Sequence, residues 1–382
     1  MRQLLTPNSS FLTISMAVSL LVLLLLCLFL LAALGKKNRL FGFSVFVTIL
    51  VGVAAISVTR NDTVLIHGET MGTSYRVSVV VPIYISWSRE FRDNLLKKKI
   101  DEELTRVNAL MSTYDPNSEL SRLNSRQSEE PFPISADTAK VLRLALEIAQ
   151  KTNGAYDPTV GPLVNLWRFG PEDRPEKVPS DEEIAAARQR VGWDKIKIIE
   201  QSGDDSPLQY AVVKSDPNVY IDLSSVAKGF GVDCVAALLI QNRYKNFLVD
   251  VGGELRSNGK NVAGKDWSVG INSPVLTDNA LAKTVSLSDK AIATSGDYLN
   301  FYELDGVRYS HIIDTQTGRP ITHKTASVSV IDDSCMTADA WATALLALGA
   351  EQGKPLAEEN GLHVIFLVRD GDEFVVESVN QE

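Results

Sequence analysis

Three short segments combine residue types that phosphoryl or proton chemistry uses. In Tyr220-Ile221-Asp222-Leu223-Ser224-Ser225-Val226-Ala227-Lys228-Gly229 an acid precedes two hydroxyls, and a lysine follows one turn later. A helix opening at Ser225 puts Lys228 on the same face as Ser224 and Ser225. Free N–H groups and the helix dipole favour an anion at such an end. An ordinary serine cap beside a solvated lysine produces the same pattern. In Thr337-Ala338-Asp339-Ala340-Trp341-Ala342-Thr343 the Asp339 and Thr343 oxygens share one helical face. Mg²⁺ takes a carboxylate, neutral oxygens and phosphate and keeps some water. The plainer reading is an acid complementing the helix dipole beside a packed threonine. In Ser310-His311-Ile312-Ile313-Asp314-Thr315-Gln316-Thr317-Gly318-Arg319-Pro320 a strand carrying His311 runs into a turn. His311 has the proton affinity of a general base, although core and surface histidines are commoner. His67, His323 and His363 lack metal-ligand spacing and read as structural.

Other segments carry less. Val251-Gly252-Gly253-Glu254 and Ala293-Thr294-Ser295-Gly296-Asp297 are small-residue turns that let backbone approach a ligand and serve equally as plain turns. Ser295 lacks the flanking glycines of a nucleophile elbow. Gly229-Phe230-Gly231 lacks the third glycine of a dinucleotide fingerprint, so a Rossmann site is excluded. The stretches Gly68 to Thr73 and Asp157 to Trp167 read as loops.

The elements that must hold these residues follow from periodicity and caps. The chain has 382 residues, 45% hydrophobic and 22% charged, which is globular composition with enough length for a full core. Alternation predicts a strand over Ser74 to Val81, with Tyr75, Val77 and Val79 on one face. Helical spacing covers Phe91 to Leu110 and Ala136 to Thr152, the latter capped by Ser135. Ser180 and Glu183 form a capping box for a helix ending near Gly192. Short β-rich runs occupy Lys195 to Ile199, Tyr210 to Val213 and Val219 to Leu223. After a long helix from Ser225 to Gln241 come strands near Phe247 to Val251, Trp267 to Ile271, Thr284 to Leu287 and Ser327 to Ile331. Helices over Ala338 to Leu348 and Lys354 to Glu359 close the chain, and Pro171 to Pro179 is a surface loop. The fold class is α+β, a compact domain of mostly antiparallel strands flanked by helices.

Residues 1–60 contain no acid and two apolar runs, Phe11 to Leu34 and Leu40 to Val58. As helices they reach about 36 and 28 Å, enough to cross a bilayer as a transmembrane hairpin. The basic loop Lys36-Lys37-Asn38-Arg39 stays cytoplasmic, so residues 61–382 form an extracytoplasmic domain. A cleaved signal peptide in the second run exports the domain too but leaves the first run unexplained. The whole chain is −9, and without its first 60 residues it carries 33 basic and 47 acidic residues, a net −14. Such a surface repels nucleic acid, so an anionic ligand must be held locally. Three cysteines, Cys27, Cys234 and Cys335, form neither a disulfide framework nor a zinc knuckle. A single Cys234 to Cys335 bridge stays open by count.

From about His67 to the C-terminus, five motifs in order resemble the ApbE family of FAD:protein flavin mononucleotide transferases. They are Thr70-Met71-Gly72-Thr73, Asp157 to Trp167, Asp222 to Lys228, His311 to Pro320, and Ala338 to Thr343. The resemblance implies that Met71, Tyr114 and the Ala155-Tyr156-Asp157 segment contact the flavin, and that Asp222, Lys228 and Ile313 line the FAD site. It implies Ser225, Asp339 and Thr343 facing Mg²⁺ and His311 as base. Some similar proteins carry an acid where Lys228 stands, so a lysine there assists without being obligatory. The implied reaction moves FMN from FAD to a Thr or Ser hydroxyl of an acceptor protein and releases AMP. Its setting would be the periplasmic face of a bacterial inner membrane, with exported subunits of membrane redox complexes as acceptors. The rivals are an Mg²⁺-dependent FAD pyrophosphatase giving FMN and AMP, a non-catalytic FAD-binding membrane protein, and a purely structural exported domain.

Overall fold

The computed structural model describes residues 61–82, 89–170, 177–203, 206–274, 281–298, 300–371 and 373–380, together with Val47. The expected spans Phe11 to Leu34 and Leu40 to Val58 lie outside the described residues, Val47 apart, as do residues 171–176 of the proline-rich loop.

The chain opens with a hairpin, β1 (Asn61–Thr70) and β2 (Thr73–Pro82). Its turn is Met71-Gly72, with φ of 49° and 71°, the doubly positive pair of a type I′ turn. Gly68 to Thr73 is therefore strand and tight turn where sequence reading expects a loop. Helix α1 (Arg89–Met111) and the short α2 (Glu119–Ser125) lead to β3 (Phe132–Ile134). Helix α3 (Ala136–Lys151) starts where the Ser135 side chain accepts the Thr138 N–H. The segment from Asp157 then contains a single short helix, α4 (Gly161–Leu166). Helix α5 (Asp181–Arg188) carries the expected Ser180–Glu183 capping box but stops before Gly192.

Strands β4 (Ile196–Gly203) and β5 (Ser206–Lys214) complete a three-stranded sheet with β3. The strand expected over Val219 to Leu223 pairs with none of the described strands. Instead the Asn124 side chain donates to the Ile221 carbonyl and accepts its N–H, which satisfies both backbone groups. The adjoining Lys214 is 2% exposed and donates to the carbonyls of Arg126 and Pro217. This isolated strap delivers the chain into helix α6 (Ser224–Gln241).

The rest builds the main sheet. Strands β6 (Phe247–Val251) and β7 (Glu254–Asn258) form a hairpin, as do β8 (Trp267–Asn272) and β9 (Leu281–Leu287). Then come β10 (Ala291–Gly296), β11 (Phe301–Leu304), β12 (Val307–Ser310), β13 (Ile313–Asp314), β14 (Arg319–Pro320) and β15 (Thr325–Asp332). Helix α7 (Cys335–Glu359) precedes β16 (His363–Asp370) and β17 (Glu373–Val379). Helix α7 breaks at Gly349, where φ is 74°, so the two expected C-terminal helices are one span with a kink.

The sheet runs β1-β2-β6-β7-β10-β15-β16-β17 with every neighbouring pair antiparallel. Helices α1, α6 and α7 cover one face, and the β8–β9 hairpin covers the other through Trp267, Val269 and Leu287 against Leu248, Ile292 and Leu367. Among the described residues only α6 is long and apolar enough to cross a bilayer, and it is a core helix, packed between α1 and α7. Cys234 and Cys335 are both free thiols.

Helices α6 and α7 touch at Gly229. A Cβ there would lie 2.4 Å from the Cys335 carbonyl oxygen and 2.7 Å from Asp339 Cβ. Helix propensity favours alanine by about 1 kcal/mol, but overpacking a close contact costs about 1–3 kcal/mol. Gly229→Ala is therefore expected to lower stability in urea unfolding despite its better helix former; an unchanged or raised midpoint would show that the helices separate freely.

Candidate active site

A cleft of about 1000 Å³ opens between the helical layer and the loops around it. Its lining includes Met71, Tyr114, Ala155, Tyr156, Asp157, Asp222, Ser225, Lys228, His311, Ile313, Asp339 and Thr343, every residue singled out from sequence. They come from segments far apart in the chain, so specific contacts must hold them together.

Two sutures join the loop segments. The buried Trp167 donates its indole N–H to the Gly318 carbonyl, and the Thr315 hydroxyl donates to the Gly154 carbonyl. Together they hold Ala155 and Tyr156 beside Ile313. Asp157 is spent on structure: Oδ1 accepts from the Thr159 N–H and hydroxyl, and Oδ2 accepts the Trp193 N–H at 3.0 Å. Burial raises its pKa against those hydrogen bonds. The Asp222 N–H donates to the Pro158 carbonyl at 2.7 Å, which locks the strap before α6 onto the same loop. Asp222 Oδ1 accepts the Ser224 N–H at 2.8 Å, so the acid itself occupies the first turn of α6. Ser225 is left to pair its hydroxyl with Tyr156 at 2.9 Å. Met71 reaches α6 from the hairpin turn, close enough that a Cβ on Gly231 would stand 3.2 Å from its methyl. Tyr114, at 65% exposed, stands on the rim.

At the floor, α7 begins with its N–H groups already filled. The Ser334 hydroxyl accepts the Thr337 N–H, while Asp233 accepts those of Cys335 and Met336 and pairs with Arg256. One turn further, Asp339 is 3% exposed and its Oδ2 accepts the Gly229 N–H at 2.9 Å. Thr343 shares its hydroxyl with Ser295 at 2.9 Å. Burial raises the Asp339 pKa, opposed by Lys228.

Lys228 makes a 2.5 Å ion pair with Glu254, which is 2% exposed. Burial alone would push the lysine down, but Asp339 and Glu254 outweigh it and the net shift is upward, so Lys228 stays charged. Burial pushes the Glu254 carboxyl up, with Lys228 opposing. Its Oε2 is buried without a hydrogen-bond partner among the described residues. Sequence reading saw only a turn at Glu254 and Ser295; their partners lie on other elements, and no spacing signal marks them.

The residues present fit a hard cation. Asp339 offers a carboxylate whose Oδ2 alone is hydrogen-bonded among the described residues, beside the Ser225 and Thr343 hydroxyls. No group of three or more His, Cys, Asp or Glu side chains gathers for a metal among the described residues. Mg²⁺ at such a site would need ligand phosphates and water to complete its shell, which is the usual arrangement for that ion.

His311 sits in the bend after β12, beside the strand that sequence reading expects to carry it. Its Nδ1 lies 2.9 Å from the Asn300 carbonyl, which only accepts, so Nδ1 carries the proton and Nε2 is the acceptor nitrogen. The Phe169 ring meets it edge-on at 6.3 Å.

An antiparallel sheet backed by helices, with a lysine-bearing helix start and a buried carboxylate in one cleft, defines a class of ligand-binding α+β domain. The model of the ApbE family matches residues 71–366, and the chain belongs to that family. The FAD:protein FMN transferase of Vibrio cholerae is 44% identical over 313 residues, covering 82% of this chain and 90% of that protein. The protein of the same name from Escherichia coli K12 is 42% identical over 313 residues, 82% and 86% of the two chains. Among solved structures, the flavin transferase ApbE from Vibrio cholerae superposes with a TM-score of 0.73 at 42% identity, covering 83% of this chain and 97% of that one. The apo flavinyl transferase ApbE of Pseudomonas stutzeri gives 0.72 at 34% identity, covering 84% and 95%.

Burial lowers the His311 pKa below 6.5, helped by Lys228 and opposed by the Asn300 hydrogen bond and Asp297. The unfolded chain therefore binds more protons as pH falls below 6.5, and the stability held above that value is lost on acidification. An NMR titration is expected to place the His311 midpoint below 6.5 and to move it up in Lys228→Met. A midpoint above that value would mean the imidazole is held as a cation.

Proposed function

We propose that the protein transfers FMN from FAD to a Thr or Ser hydroxyl of an acceptor protein, releasing AMP, in a magnesium-dependent reaction. The observation that carries this reading is the convergence of a charged lysine, a buried aspartate and a neutral imidazole on one cleft, in a chain belonging to the ApbE family. The relatives named FAD:protein FMN transferase support the substrate.

Met71, Tyr114, Ala155, Tyr156 and Ile313 surround the flavin, while Asp157 shapes that wall through its own hydrogen bonds. Asp222 and Lys228 meet the rest of FAD at the start of α6. Ser225, Asp339 and Thr343 would hold the magnesium ion, which would supply positive charge against the pyrophosphate. The acceptor hydroxyl forms a new P–O bond to the FMN-side phosphorus as the bond to the AMP phosphate breaks. His311 Nε2 takes the hydroxyl proton, and the Asn300 carbonyl keeps the ring in the tautomer that leaves Nε2 free. Lys228 offsets the charge shifting onto the leaving phosphate. A chain this acidic needs that local compensation, because its wider field repels anions.

The two apolar runs within residues 1–60 serve as a bilayer anchor on this reading, with the basic loop inside. The domain then faces the periplasm of a bacterial inner membrane, within reach of exported subunits of membrane redox complexes.

Incubation with FAD, Mg²⁺ and a candidate acceptor is expected to leave covalent flavin fluorescence on the acceptor. Free FMN alone would indicate a pyrophosphatase, and intact bound FAD a non-catalytic binder. Asp339→Asn keeps an acceptor for Gly229 and is expected to abolish most FAD cleavage with little change in melting. His311→Ala should bind FAD yet transfer about 10²–10⁴-fold more slowly. Full activity in either variant removes the role given to that residue.

A further inference from the structure

Lys228 stands between two buried acids. Gly229, its neighbour in α6, donates to Asp339, and the Lys228 ammonium itself bonds Glu254 Oε1 at 2.5 Å. Among the described residues no ion pair within 4.0 Å joins Lys228 to Asp339. The choice of partner is set by the turn before β7. Gly252 and Gly253 have φ of 63° and 103°, which brings Glu254 in as the first residue of that strand, facing α6. Its second oxygen is buried with no hydrogen-bond partner among the described residues, so the Lys228 ammonium is the group that satisfies this side chain.

We propose that Glu254 is a positioning residue that holds the Lys228 ammonium off Asp339 and so keeps the Asp339 carboxylate free for a divalent cation. This rests on the cation reading of Asp339 given above. Lysine is a point charge on a flexible stem and turns toward the nearest uncompensated carboxylate. Without the Glu254 charge, that carboxylate is Asp339. The ammonium would then compete with the cation for the same oxygens. With Glu254 present the ammonium is held on that side, and Asp339 keeps the Gly229 N–H on Oδ2. Glu254 thus makes Lys228 available to phosphate without letting it fill the metal site.

The test uses the metal-stripped full chain and Mg²⁺ alone, followed by titration calorimetry without FAD. Glu254→Gln is expected to weaken Mg²⁺ binding about 10–100-fold, the usual effect of losing a residue behind a metal ligand. Adding Lys228→Met to it should return binding to near the native strength, because the competing ammonium is gone. A merely structural defect would not be rescued by a second substitution. Lys228→Met alone should bind Mg²⁺ at least as tightly as the native chain, and this arm stands even where Glu254→Gln fails to fold. Native binding in Glu254→Gln, no recovery in the double variant, or weakened binding in Lys228→Met each overturns the proposal. A native chain that binds no Mg²⁺ removes the cation reading and this proposal together. Native Mg²⁺ binding without FMN transfer to any acceptor leaves the positioning role intact while the transfer reading fails.

Discussion

The site depends on a single close approach between helices. At Gly229 the backbone of α6 comes near enough to α7 for its N–H to meet the Asp339 carboxylate, with the carbonyl of Cys335 against the same glycine. Any side chain at that point would wedge the helices apart and carry Asp339 away from Lys228. Rigidity at the start of α7 comes from Asp233, which lies on α6 and accepts two N–H groups of the partner helix. The two helices are therefore joined twice, by one acid from each, and the spacing between cation and carboxylate follows from those joints.

Around this joint the polar groups are arranged in pairs that cross between elements. Tyr156 meets Ser225, Ser295 meets Thr343, and Glu254 meets Lys228. Each pair satisfies a group that burial would otherwise penalise, and both members of each line the cleft. The loop segments are secured separately, through Trp167 to Gly318 and Thr315 to Gly154. That division allows a rigid floor with walls contributed by loops, while the exposed Tyr114 marks an open rim. An open rim suits a reaction whose second substrate is another protein.

Electrostatics gives the same picture from the other direction. Outside the first 60 residues the chain is strongly acidic, and even inside the cleft acids outnumber the lysine. Burial raises Asp339 and Glu254 and lowers His311, so each group is displaced toward its neutral form, while Lys228 alone is held charged by its acidic neighbours. That balance leaves one held cation and a neutral imidazole lining the same cleft.

Sequence alone determined the antiparallel α+β class, the helix starts at Ser135 and Ser180, and helical character in two C-terminal stretches, while the family resemblance supplied the twelve residues now found around one cleft. Those are legible because periodicity, caps and ordered motifs are local or survive as strings. The tertiary structure decided the rest. The run Val219 to Leu223 has strand composition yet finds its partner in the Asn124 side chain, and the edge strand Asn61–Thr70 exists because β2 pairs with it. Glu254 looked like the end of a turn because the ammonium that gives it meaning is 26 residues away in the chain. Hydrogen bonds and ion pairs between distant segments leave no period in the sequence, so only the folded chain reveals which acid holds Lys228 and which accepts the Gly229 N–H.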